Sequence, residues 1–312
     1  MGPSASSHIE AIVALLQDNE PVLRYAAVET LGLLRMHMQP HMLHLVAQLQ
    51  HPDQSLQRTA VEAMGRMRWL AVPFLEAIVA LLEHPQQSMR LAVINALESI
   101  GAHSAGKLHL VAARLEHPNW RVRQSAAVAL GNANEHGAVY AEVVALAAAE
   151  DPEKRVAHAA VKALGQLLQY HKGTASEDAR RHVATIASSL QHESWLVRLM
   201  AVKALGKLGK FSMPHLISLT ICLADAQWMV RQAAVKAVAR LTPPSAAYGV
   251  AIAGRLHDMH TSVRHASAAA LQKWADVPDV QRAICEGQFS TNPVAAALNR
   301  LANSRSHAQH LR

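Results

Sequence analysis

Apolar residues recur along this chain at helical spacing, and the pattern itself repeats. Aligned on the end of one recurring segment, the copies are VLRYAAVETLG (22–32), LQRTAVEAMG (56–65), MRLAVINALE (89–98), VRQSAAVALG (122–131), VAHAAVKALG (156–165), VRLMAVKALG (197–206), VRQAAVKAVA (230–239) and VRHASAAALQ (263–272). Successive ends lie 33, 33, 33, 34, 41, 33 and 33 residues apart. Each segment predicts an amphipathic helix, with Val122, Ala126, Ala127 and Leu130 on one face in the fourth copy. Upstream of these segments, i, i+4 apolar pairs predict a partner helix: Ile12/Leu16, Leu45/Leu49, Ile78/Leu82, Val111/Leu115, Ile186/Leu190, Leu219/Leu223 and Ile252/Leu256. No segment alternates with the two-residue period of a strand, so the prediction is an all-α chain of about eight helix pairs.

Small residues set the details. Abundant alanine in the second helices permits close approach between neighbours. Gly32, Gly65, Gly131, Gly165 and Gly206 are expected to punctuate those helices near their ends. Ser7 with Glu10 matches a capping box, so the first helix is expected to open there, after an extended or disordered segment 1–7. The solenoid is assigned to residues 8–275. The longer step reflects an insertion, HKGTASED, near 171–178. Asn292 before Pro293 and the stretch Val277–Glu286 predict C-terminal capping helices within 276–303, followed by a tail, 304–312.

Charge changes the picture from one end to the other. The 312 residues carry a net charge of +7, yet residues 1–150 hold 10 basic and 13 acidic side chains while 151–312 hold 20 and 10. The 51% hydrophobic content excludes a globally disordered chain. Two cysteines, Cys222 and Cys285, exclude a disulfide framework and fit a reducing, intracellular compartment. No apolar run has the ~18 residues of a membrane span, and MGPSASS has no signal-peptide layout.

Several patterns that suggest chemistry have a structural explanation. His51, His84, His117 and His192 fall at one turn position, roughly 8–10 Å apart by helix packing, too far for shared metal coordination. The cluster MHMQPHMLH (36–44) and the run HDMHTSVRH (257–265) are weighed against copper-type ligation and assigned to turns and core filling. GAHSAGKL (101–108) lacks the hydroxyl and the preceding strand of a phosphate loop. Trp120, Trp195 and Trp228 share one register position and are expected to pack between repeats rather than to stack bases. No catalytic set, metal site, cofactor or small-molecule substrate is expected.

The turn segments LEHPNWRVRQSAAVALG (115–131) and LADAQWMVRQAAVKAVA (223–239) resemble HEAT repeats of the short bilin-lyase-like type. The resemblance covers nearly all of residues 8–273. It implies a right-handed α-solenoid whose second helices line a concave face. It also implies a ladder between a turn Asp and an Arg six residues later. Asp18/Arg24, Asp225/Arg231 and Asp258/Arg264 match; Arg90, Arg123 and Arg198 follow His84, His117 and His192; His51/Gln57 and Asp151/Ala157 break it. Deoxyhypusine hydroxylases, which also resemble this fold, use several His-Glu dipeptides; this chain has one, His192-Glu193.

Two register positions, four residues apart, are expected to face the hollow. One reads Glu29, Glu62, Asn95, Val128, Lys162, Lys203, Lys236, Ala269; the other reads Leu33, Arg66, Ser99, Asn132, Gln166, Lys207, Arg240, Lys273. With Lys210, the basic members form a stripe in repeats five to eight that suits an acidic protein partner. The expectation is a non-catalytic binding scaffold within a larger assembly. The alternatives are RNA binding through the same stripe and bilin-lyase-like or chaperone-like action on a pigment protein.

Overall fold

The computed structural model describes residues 3–34, 39–170, 177–242 and 246–274. Among them, sixteen α-helices alternate between a first and a second helix of each repeat, and no strand occurs. The first helices are α1 (Pro3–Ala14), α3 (Met42–Ala47), α5 (Leu75–Ala80), α7 (Leu108–Ala113), α9 (Ala141–Glu150), α11 (Glu177–Ser188), α13 (Leu216–Ile221) and α15 (Ala246–Ala253). The second helices are α2 (Pro21–Leu34), α4 (Gln54–Met67), α6 (Gln87–Ile100), α8 (Trp120–Asn132), α10 (Lys154–Leu167), α12 (Trp195–Leu208), α14 (Trp228–Leu241) and α16 (Thr261–Gln272). The fold is the predicted all-α arrangement of successive helix pairs. Several first helices tighten into a 3-10 turn, such as Gln48–Gln50, Leu81–Glu83 and Cys222–Ala224, before the chain turns into the second helix.

The i, i+4 pairs face inward as the spacing requires. Leu45, Leu49, Ile78, Leu82, Val111, Leu115, Ile186, Leu190, Leu219, Leu223 and Ile252 are buried, whereas Ile12 and Leu256 are half-buried. One boundary differs. Helix α1 begins at Pro3, so Ser7 lies inside it and does not open it. Proline is well suited to a first helical position, because its missing N–H would have no intrahelical partner there. Of the predicted insertion, Glu177 and Asp178 belong to α11; His171–Ser176 and the C-terminal cap and tail lie outside the described residues.

The chain divides into two compact units, residues 1–144 and 145–312. In the first, α2, α4, α6 and α8 pack side by side; in the second, α10, α12, α14 and α16 do. No described helix is long and apolar enough to cross a membrane.

The glycines expected to end the second helices have another role. Gly32, Gly65, Gly165 and Gly206 lie within helices that continue past them. Each faces an alanine of the next second helix. A Cβ placed on Gly32 would lie 2.9 Å from the Ala63 Cβ; on Gly65, 2.8 Å from the Ala96 Cα; on Gly165, 2.5 Å from the Ala204 Cβ; on Gly206, 2.9 Å from the Ala237 Cβ. These distances are below contact, so the helices can approach this closely only because the side chain is absent. Glycine for conformational reasons stands three residues further on, at Gly101 and Gly209, both with φ of 60°. Arg68 and Asn134 occupy the same register position with φ of 56°, a costly conformation for a residue with a Cβ.

Two kinds of glycine should therefore respond differently to substitution. Gly206→Ala is expected to destabilise by about 2–3 kcal/mol through overpacking, and adding Ala237→Gly should restore part of the loss. Gly101→Ala meets no atom within 4 Å and should cost about 1–2 kcal/mol through the backbone alone. Thermal denaturation of the variants checks this; no recovery in the double variant would show that the contact does not set the spacing.

Candidate partner-binding groove

The turns fix the second helices from which the site is built. In six repeats the Arg Nη1 donates to the carbonyl of the turn residue six positions earlier. The donors are Arg24, Arg90, Arg123, Arg198, Arg231 and Arg264, at distances between 2.7 and 2.9 Å. The same nitrogen also reaches the next carbonyl. The guanidinium thus holds the turn by its backbone. In Arg198 and Arg231 the remaining nitrogens reach forward to the next repeat, whereas Arg264 Nη2 donates to Thr261 of its own helix. Arg198 donates to both carboxylate oxygens of Asp225, at 2.7 and 2.9 Å, and Arg231 to those of Asp258, both at 2.7 Å. The side-chain ladder therefore pairs an Arg with the Asp of the following repeat, not with the Asp of its own turn.

The turn carboxylates cap their own loops as well. Asp18, Asp225 and Asp258 accept from the backbone N–H two residues on. The turn histidines copy this bond: His51, His84, His117 and His192 accept through Nδ1 from Asp53, Gln86, Asn119 and Ser194 at 3.0, 3.2, 3.0 and 3.0 Å. An imidazole can replace the Asx-type acceptor but offers no second oxygen to an Arg. Arg90, whose forward partner would be residue 117, instead places Nε against the Ser125 hydroxyl at 3.2 Å. Burial, with Arg121 nearby, lowers the pKa of that guanidinium. Of the three tryptophans, Trp228 reaches the next repeat, stacking on His260 at 3.7 Å between centroids, while Arg121 of its own helix lies over the Trp120 ring.

Among the described residues, no three His, Cys, Asp or Glu side chains group as metal ligands. His41 and His44 have ring centroids 6.3 Å apart; His37 lies outside the described residues. Cys222 is buried. Residues Gly101–Lys107 form a 3-10 helix between α6 and α7, with the Ser104 hydroxyl donating to the Gly101 carbonyl.

The predicted basic positions are all exposed: Lys162, Lys203, Lys207, Lys210, Lys236, Arg240 and Lys273. Four of them come together. A groove of about 270 Å³ runs between α12 and α14, with Lys203 and Lys207 on one wall and Lys236 and Arg240 on the other. Its floor is apolar, formed by Leu199, Val202, Met229, Ala233 and Ala237 beside Gly206, and no carboxylate lines it. Lys210, in the 3-10 segment Gly209–His215, and Lys273, just after α16, do not line the groove; nor does Lys162. Lys162 and Lys203 do share a neighbour in His158. Burial first, and then these two positive charges, lowers the pKa of its imidazole. In the first unit, Glu29 and Glu62 are exposed on α2 and α4.

Sequence reasoning missed His158, Leu199 and Gln232. They stand one helical turn before Lys162, Lys203 and Lys236, so extending the same register by four residues would have found them.

A family model for HEAT repeats matches residues 42–131, 108–179, 142–239 and 184–272. The chain belongs to the HEAT-repeat family. No curated protein matches it in sequence. Among solved structures, a chain of the Kap95p–RanGDP complex matches with a TM-score of 0.58 at 17% identity, covering 88% of this chain and 40% of that one. A chain of the karyopherin Kap121p complex with the extreme C-terminus of the phosphatase Cdc14p gives 0.59 at 12% identity, covering 92% and 34%. This HEAT chain thus spans well under half of either neighbour, and the likeness is one of helical-solenoid fold. A chain of the CpcE–CpcF phycocyanin lyase complex from Nostoc sp. is 24% identical over 54% of this chain and 97% of that one, with a TM-score of 0.46.

Two substitutions test the ladder of these HEAT repeats. His117→Asp keeps a turn acceptor and gives Arg90 a carboxylate, so it should stabilise by about 1–2 kcal/mol; no gain in chemical denaturation would reject the forward pairing. Asp258→Asn should cost about 2–3 kcal/mol at neutral pH. The Arg231 hydrogen bonds hold the Asp258 carboxyl below the ordinary carboxylate range, against its burial. Its contribution is complete above that range and is lost as pH falls through the depressed value. The gap between wild type and variant should therefore close on acidification below about pH 4.

Proposed function

We propose that this chain is a protein-interaction scaffold whose second unit receives an acidic segment of a partner protein on the exposed face of α12 and α14. The observation that carries this reading is the groove between those helices, where four cations surround an apolar floor without a carboxylate. Lys203 with Lys207, and Lys236 with Arg240, are like charges one helical turn apart, an arrangement that costs stability unless an anion is bound. Complementary charge of this kind speeds encounter and excludes cationic partners. Membership of a repeat family often used for protein interaction supports the same reading. Action is by binding, with no bond made or broken.

The lysines alone would also suit an RNA backbone. The floor favours protein, because unspecific single-strand binding relies on aromatic platforms and the groove is lined by aliphatic side chains and methionine.

The test is affinity capture from the native source with wild type and with Lys203→Glu/Lys236→Glu, in low and high salt. Both positions are exposed, so folding should be unaffected, as circular dichroism can verify. The expected result is a protein partner lost by about tenfold or more in the variant and weakened by salt. Equal capture by both proteins would overturn the assignment of this face.

A further inference from the structure

Resting on that assignment, we infer that the α12–α14 groove reads an extended acidic segment carrying one large apolar side chain between two carboxylates. Three features on this face lead there. The first is size. A groove of about 270 Å³ admits a bulky side chain with its backbone, whereas a helix with side chains is ~10–12 Å across and would rest on the rims. The second is the floor. Val202 lies fully buried beneath it, while Leu199 at 7% exposure, Ala233, Ala237 and the half-buried Met229 form the part a partner can touch, and Gly206 places no side chain above them. An apolar group from a partner would thus meet an aliphatic surface. Burying a leucine-sized side chain contributes about 1.5–3 kcal/mol, enough for discrimination between an apolar and a polar residue.

The third feature is the spacing of the cations. Lys203 and Lys236 hold equivalent positions on neighbouring helices, as do Lys207 and Arg240. The Gly206–Ala237 contact puts those helices at the close end of the usual 8–10 Å separation. An extended chain advances ~3.3 Å per residue and turns every second side chain to one face, so carboxylates four residues apart, with the apolar residue midway, share that face and span ~13 Å, within reach of the long cationic side chains on both walls. The residue midway between them faces the floor. In a helix, residues three or four apart are only ~5–6 Å apart, which does not bridge the walls. Gln232, half-buried at the groove edge, donates its Nε2 to the Ser262 carbonyl and offers its amide oxygen to a backbone N–H of the crossing segment. A further cation is Lys162 on α10, which with Lys203 acts on His158, so additional acidic residues at one end of the segment would extend the contact towards α10.

Fluorescence anisotropy with the full chain and labelled synthetic peptides tests this. The probe is a short peptide with two Asp residues four apart and a Leu midway between them. Its comparators carry Ser for Leu, bring the two Asp residues together, or hold them on one face of a side-chain-stapled helix; single-stranded poly(U) is included. The inference expects the Leu peptide to bind best, with about a tenfold loss for Ser and a comparable loss for the stapled helix. It also expects Met229→Lys on the half-buried floor edge to erase the preference for Leu over Ser while leaving binding of the Ser peptide unchanged or stronger. Equal binding of Leu and Ser peptides, or tighter binding of poly(U) than of any peptide, would overturn it. If the peptides fail while Lys203→Glu/Lys236→Glu still loses the native partner, the groove assignment stands and only the recognition rule falls.

Discussion

The contact between a glycine of one second helix and an alanine of the next governs this molecule. At Gly32, Gly65, Gly165 and Gly206 there is no room for a methyl group against Ala63, Ala96, Ala204 and Ala237. Helices that touch through backbone and methyl groups have their spacing set by hard contact rather than by adaptable side chains. Each unit is thereby stacked at a short, repeating distance. Where the register carries Glu98 instead of glycine, α6 and α8 meet less extensively, and Asn132 Nδ2 donates to the Glu98 carboxylate.

The turn arginines complete what the glycines begin. Close approach of second helices brings each turn beside the next, so one guanidinium can bind two carbonyls of its own turn and a carboxylate of the following one. Arg198–Asp225 and Arg231–Asp258 satisfy all three demands. A turn histidine caps its own loop but gives the preceding repeat's Arg no carboxylate, as where Arg90 meets His117 and bonds Ser125 instead. The ladder thus runs through Arg198, Asp225, Arg231 and Asp258 and is interrupted at His117. It is complete in the same helices, α12 and α14, that carry the groove. A rigid base under the groove keeps its walls at a fixed separation, which a binding site for a short segment requires.

Charge and packing meet at Gly206. Its missing side chain brings α12 and α14 together and also leaves the aliphatic floor open between Lys203, Lys207, Lys236 and Arg240. The same residue therefore serves the fold and shapes the surface. Lysine at these positions leaves the interior unaffected, since the side chains point to solvent. Their placement around an uncharged floor is what distinguishes this face from a generally basic surface.

The sequence by itself determined the helix pairs, their register and the outward face. A 33-residue repeat of apolar side chains at helical spacing admits few other arrangements, and the lysines of that register are exposed as expected. It also marked the arginines of the ladder, but not their partners, because a side chain 27 residues away becomes a neighbour only when repeats stack. The glycines near the helix ends were visible as letters, but their close approach to the next helix was not, since a helix terminus and a close helix crossing call for the same residue. Of the seven predicted cations, only four line one groove. That selection was decided by the tertiary structure: helix spacing, fixed by a contact between repeats, determines which exposed charges share a cavity and what lies between them.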